Sequence, residues 1–203
     1  MMRGPLPRPA MTDVLTPFDD EAEALAAVDA TRYWLEAAVI GLNLCPFAKA
    51  VHVKRQIRWA VTATSDAGTL LAELRGELAR LADADPALVD TTLLIHPRAL
   101  TDFIDYRFFL DDANRALRKL GYEGVLQLAS FHPDYAFADA APDDPANCTN
   151  RSPHPMLHLL REASIDRAVA AYPDAEAIYN RNVEALRALG HAGWRGLLAR
   201  DAG

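Results

Sequence analysis

Apolar residues recur along the chain at a few distinct spacings, and each spacing predicts a different element. Over residues 20–42, Leu25, Val28, Leu35, Val39 and Leu42 fall three, four or seven apart, the stripe of an amphipathic helix. Gly41 and Asn43 supply its stop. Over residues 52–62, Val53, Ile57, Trp59 and Val61 predict a first strand, partly exposed because Lys54, Arg55 and Arg58 are interleaved. Residues 66–83 predict a helix with Leu71, Leu74, Leu78 and Leu81 on one face. Thr91-Thr92-Leu93-Leu94-Ile95 is a short apolar run, the pattern of a strand buried on both faces. Thr101 or Asp102 caps the next helix, which points Phe103, Leu110, Ala113, Leu117 and Leu120 inward and ends at Gly121. Residues 125–131 predict a third strand.

A stretch of about 20 residues without periodicity follows, at 133–153, longer than compact domains usually carry without a purpose. Helices are then predicted near residues 155–163, 165–172 and 175–189, with a last turn through Trp194. Strand–helix–strand–helix–strand order favours parallel pairing with right-handed crossovers. The expected fold is therefore α/β: a small, mainly parallel sheet of about three strands, an N-terminal helix and a C-terminal group of helices. Residues 1–18, proline-rich and aperiodic, read as a flexible tail ahead of a single domain at 19–203.

Composition narrows the function classes. The 203 residues are 51% hydrophobic and 24% charged, an ordinary globular balance with enough apolar material for a sizeable core. A net charge of −7 argues against a broad nucleic-acid surface, which needs clustered Lys and Arg. It leaves room for a small anionic ligand held by a local arginine pair. No apolar run reaches bilayer length, and the N-terminus lacks the continuous apolar core of a secretory signal, so a cytoplasmic, non-membrane protein is expected. Cys45 and Cys148 form no C-x-x-C and are expected to be reduced thiols. There is no Walker loop, G-x-G-x-x-G after a strand, G-x-S-x-G or H-E-x-x-H, so the large nucleotide, hydrolase and zincin families gain no support. The sequence assigns neither a cofactor nor an oligomeric state.

Candidate chemistry gathers at the strand ends. Ile95-His96-Pro97 and Phe131-His132-Pro133 close two strands alike, one strand–helix unit apart. Ligands of parallel sheets sit beyond the carboxyl ends of the strands. If the two strands are neighbours, both imidazoles face one crevice. His96 alone is more simply read as capping its strand on a backbone carbonyl. His132 is followed at once by Asp134 and Tyr135, which gives it the role of general base or metal ligand, with Asp134 orienting the ring and Tyr135 donating a hydrogen bond. Asn150, Arg151 and Ser152 close the long loop, and Ser152 or His154 before a proline reads as a helix start whose positive end suits an anion. Arg161 would join Arg151 in holding that anion. On the same predicted helix His158 and Glu162 are four apart, compatible with metal ligation and equally with an ordinary contact. Cys45, just before Pro46, is a nucleophile if free N–H groups lower its pKa, or otherwise a packing residue.

Four segments taken together, residues 34–50 (WLEAAVIGLNLCPFAKA), 92–97 (TLLIHP), 130–135 (SFHPDY) and 149–164 (TNRSPHPMLHLLREAS), resemble the bacterial family catalogued as domain of unknown function 1415. The resemblance covers about residues 31–198. It implies no activity, but the family's recurring motifs coincide with Cys45, His132, Asp134, Tyr135, Asn150, Arg151, Ser152, His158 and Arg161. Cys148 and His154 stand where that pattern leads one to expect tyrosines, which weighs against either as a nucleophile or metal ligand. The resulting expectation is a small-molecule enzyme whose His/Asp/Arg site acts on an anionic metabolite. The alternative is a non-catalytic module that binds a metabolite or a partner chain.

Overall fold

In the computed structural model, which describes residues 12–170 and 177–199, five strands form one sheet in the order β1-β2-β3-β5-β4. Strands β1 (Thr12–Val14), β2 (Ile57–Val61) and β3 (Thr91–Ile95) pair in parallel. Strand β5 (Met156–Arg161) is inserted antiparallel between β3 and β4 (Leu126–Phe131). The expectation of about three strands is thus corrected to five. One addition, β1, falls within the segment read as an N-terminal tail, and residues 1–11 of that segment lie outside the described residues. The other, β5, falls where a helix was expected over 155–163. Its run Met156-Leu157-His158-Leu159-Leu160 is apolar on both faces, and periodicity cannot separate a doubly buried strand from a buried helix segment. The slot between β3 and β4, with hydrogen-bond partners on both sides, decides for the strand.

Two consequences bear on function. His158 and Glu162 do not share a helix face, because His158 lies within β5 and Glu162 opens the following helix. Likewise β3 and β4, whose ends carry His96 and His132, are not neighbours.

Helices cover both faces of the sheet. On one side lie α1 (Glu21–Trp34), its continuation as a π-helix (Leu35–Ile40) and a short α2 (Ala48–Val53), with α6 (Ala177–Leu198) packed beside them. These pack on one face of the sheet, where Trp34 and Leu35 join Trp59, Leu93, Ile95 and Met156. On the other side α3 (Ala67–Asp83) and α4 (Phe103–Lys119) bury Leu70, Leu74, Leu78 and Leu117 against Leu94, Leu157 and Leu159. Asp66 and Asp102 cap these two helices through their side chains. Helix α5 (Glu162–Ala170) follows β5 directly, and residues 171–176 lie outside the described residues.

Three further expectations change. Leu25, placed on the inner stripe of α1, is 60% exposed. The strand expected from residue 52 begins at Ile57, and His52 belongs to α2. That strand is buried along its whole length, because Arg58 points into the protein and forms an ion pair with Glu77 (Nε–Oε2 2.6 Å), with Asp13 as a second partner. The alternating cations therefore did not mark an exposed strand.

Candidate functional site

The strand-end motifs form a tight network whose polar atoms bond mainly to the backbone. His132 is buried; its Nδ1 accepts from the backbone N–H of Asp134 (3.0 Å), so its Nε2–H donates to the carbonyl of Leu100 (3.2 Å). His96 donates from Nδ1 to the carbonyl of Ala99 at 3.0 Å, and its buried Nε2 has no partner among the described residues. Although β5 separates their strands, the two rings flank Tyr106 at centroid distances of 6.0 and 5.2 Å. Burial pushes both imidazoles below their ordinary pKa, His96 to about 4. Asp134 meets His132 through its backbone rather than through a carboxylate–imidazole bond. Tyr135 packs on Phe103 at 5.2 Å, and its hydroxyl accepts from Ser130.

The loop over 133–153 is built around the same backbone bonding. Asn150 Nδ2 donates to Ser130 O (2.9 Å), and Ser152 Oγ donates to His154 O (2.6 Å). Arg151 donates to the carbonyls of Tyr135 and Pro142 at 3.1 and 3.2 Å. The expected helix start at Ser152 or His154 is absent, since this segment leads into β5. Arg161 lies at the far end of that strand, about 17 Å further on at the rise of an extended chain. Its Nη2 donates to Leu81 O and Ala84 O at the carbonyl end of α3, and to Val89 O in the segment before β3. Arg151 and Arg161 therefore do not converge on one anion. Cys148 is fully buried; both cysteines are free thiols, as expected.

The other face of β3, β5 and β4 holds a cavity of about 670 Å³ that is lined by three of the sequence candidates, Cys45, His158 and Arg161. Cys45 enters it from the turn after the π-helix and His158 from the middle of β5. Trp34, Leu93 and Phe131 form apolar walls, with Trp34 edge-on to Phe131 at 5.4 Å. Lys54, Arg161 and Arg167 also line it, together with Asp90, which accepts from Ser164 Oγ at 2.6 Å. Thr91 Oγ1 lies 2.6 Å from both His158 Nε2 and the carbonyl of Leu159. Burial holds the His158 imidazole down to about 4 and raises the Cys45 thiol above its ordinary value, against the opposing pull of the N–H groups of Phe47 and Ala48.

The wide turns of the π-helix shape one wall of this cavity. Gly41 N–H bonds Glu36 O (3.0 Å) and Leu44 N–H bonds Val39 O (2.9 Å), each five residues back. A Cβ on Gly41 would stand 2.1 Å from Ala37 O, so only glycine fits there. Leu35 and Val39 from the π-helix line the cavity. A second, smaller cavity of about 500 Å³ lies at the strand ends between Tyr33, Trp34, Arg151, Ser152 and Trp194.

The sequence matches the family described as protein of unknown function (DUF1415) over residues 26–196. The chain belongs to that family. No curated protein and no solved structure matches it. The matched span begins inside α1 and leaves out β1, but it contains every residue of the larger cavity. Among the described residues no three His, Cys, Asp or Glu side chains gather to hold a metal ion, and no helix is long and apolar enough to cross a membrane.

Sequence reasoning missed Trp34, Lys54, Thr91, Phe131 and Arg167 as cavity residues. One signal was available for Thr91 and Phe131. Both occupy the same face parity as Leu93 and Ala129 on strands already predicted, and only the neighbour relation through His158 was lacking.

Proposed function

We propose that this member of the family binds a small amphipathic molecule in the 670 Å³ cavity, with its apolar body against Trp34, Leu93 and Phe131 and an anionic end toward Lys54 and Arg167. On this reading His132, Asp134, Tyr135, Asn150, Arg151 and Ser152 hold the strand-end loop, and His96 caps β3. Ligand chemistry then belongs to Cys45 and His158, with Arg161 fixing the floor of the cavity. The observation that carries the reading is the cavity's character: drug-sized, apolar-walled, with a few converging polar groups. Its cationic rim supports an anionic ligand, because three cations line it against one carboxylate in a protein of net charge −7.

The test uses 2-naphthoate as the probe, followed by calorimetry and backbone NMR. Binding should perturb β4 and β5 and vanish in Ala129→Phe, which fills the cavity from the edge strand. A Lys54→Glu/Arg167→Glu variant should weaken naphthoate about tenfold yet leave neutral 2-naphthol unaffected, since ion pairing at a partly desolvated rim is worth about 1–2 kcal/mol. Undiminished binding to Ala129→Phe would place the ligand elsewhere and sink the reading.

A catalytic version is favoured by one observation, the thiol of Cys45 and the imidazole of His158 lining the same cavity. It predicts consumption of the natural ligand that Cys45→Ala abolishes while binding persists.

A further inference from the structure

Resting on that cavity reading, we propose that His158 is its specificity-determining acceptor, and that the ligand presents an O–H or N–H donor to His158 Nδ1. The argument is one of proton counting. Thr91 Oγ1 carries a single proton and stands 2.6 Å from two atoms, the Leu159 carbonyl oxygen and His158 Nε2. The carbonyl can only accept, so the hydroxyl proton lies on that bond. Nε2 must then be the donor to Thr91 Oγ1, and the neutral ring holds its one proton there. Nδ1 is left as a bare lone pair.

That lone pair has no partner among the described residues, and Nδ1 is not among the buried atoms sealed from solvent. His158 lines the cavity, so Nδ1 is the ring nitrogen left to accept from a ligand there. The register explains why there is room: His158 sits between Leu93 on β3 and Ala129 on β4, and alanine leaves the edge-strand side of the ring low. Phe131, with its ring 6.2 Å away, adds an apolar neighbour. Burial keeps the ring neutral at pH 7, so the lone pair is present whenever a ligand arrives.

An acceptor in such surroundings is satisfied by water or by the ligand. A ligand with a donor at that point replaces the water's hydrogen bond, whereas one with a C–H displaces the water and leaves the acceptor unmade. Sites built around a hydrogen bond discriminate strongly against analogues that lack it.

The test compares 6-hydroxy-2-naphthoate with 2-naphthoate by calorimetry, using native protein and His158→Phe, alongside long-range 1H–15N spectra of native protein. The hydroxylated probe should bind native protein about tenfold more tightly or better, and the ratio should fall to about one in His158→Phe. The spectra, which need no variant to fold, should show His158 protonated at Nε2, with an Nδ1 resonance that moves with the hydroxylated probe alone. Equal binding of both probes to native protein, or an Nδ1–H tautomer, overturns the acceptor role and leaves the cavity reading standing. Failure of both probes to bind removes both.

Discussion

His96, His132 and His158 are each held neutral by burial, and this ties stability to pH in one direction. Their folded pKa values lie below the ordinary 6.5, at about 4 for His96 and His158, so the unfolded chain takes up protons first as pH falls. For His96 and His158 that contribution is complete above about pH 6.5 and is lost progressively between there and about pH 4. Each histidine adds a slope of up to about 1.4 kcal/mol per pH unit in that window. Urea unfolding at stepped pH should show this fall, and His158→Phe should remove one histidine's share of the slope. A slope unchanged by that substitution would mean that His158 titrates normally. Cys45 gives a second residue-level prediction. With its thiol raised by burial, it should alkylate with iodoacetamide more slowly than a free cysteine at pH 7, and Cys148 not at all in the folded protein, as read by intact mass.

At the level of elements, the buried Arg58–Glu77 pair locks β2 to α3 and draws in Asp13 from the middle of β1. Both side chains of the central pair are almost wholly buried, so removing Glu77 leaves the buried Nε and Nη2 of Arg58 without acceptors, with only the half-exposed Asp13 still paired to its Nη1. Glu77→Ala should cost about 3–5 kcal/mol by chemical denaturation. A loss below about 1 kcal/mol would mean that water reaches Arg58 in the variant. Sequence pattern could not announce this pair, because an arginine among strand residues looks the same whether it snorkels outward or meets a glutamate inside. Helices α3 and α4 were legible for the opposite reason: each couples a 3.6-residue apolar stripe to an aspartate cap, two local signals that agree. The π-helix was invisible as such, although Gly41 at its end was read as a stop. Gly41→Ala drives a methyl into Ala37 O and should destabilise by about 1–3 kcal/mol while weakening naphthoate binding, since Leu35 and Val39 shift with the turn.

For the whole molecule the decisive event is the insertion of β5 between β3 and β4. It separates the two strand-end histidines, sends Arg161 to the opposite end of β5 from Arg151, and brings His158 within hydrogen-bond reach of Thr91. If the cavity is the ligand site, a saturating naphthoate should raise the midpoint of thermal unfolding and slow Cys45 alkylation together, because one occupant covers both. A stabilising ligand that leaves Cys45 labelling unchanged would point to the strand-end cavity instead. The sequence by itself determined the α/β class, helices α3 and α4, the cores of β2, β3 and β4, two free thiols and membership of the family, all carried by local periodicity, caps and motifs. Only the tertiary structure decided that residues 156–161 are a strand, that Arg58 is buried and that Cys45 and His158 share a cavity. Each of those depends on which segments lie side by side, and a doubly apolar run or a lone polar residue carries no record of its neighbours.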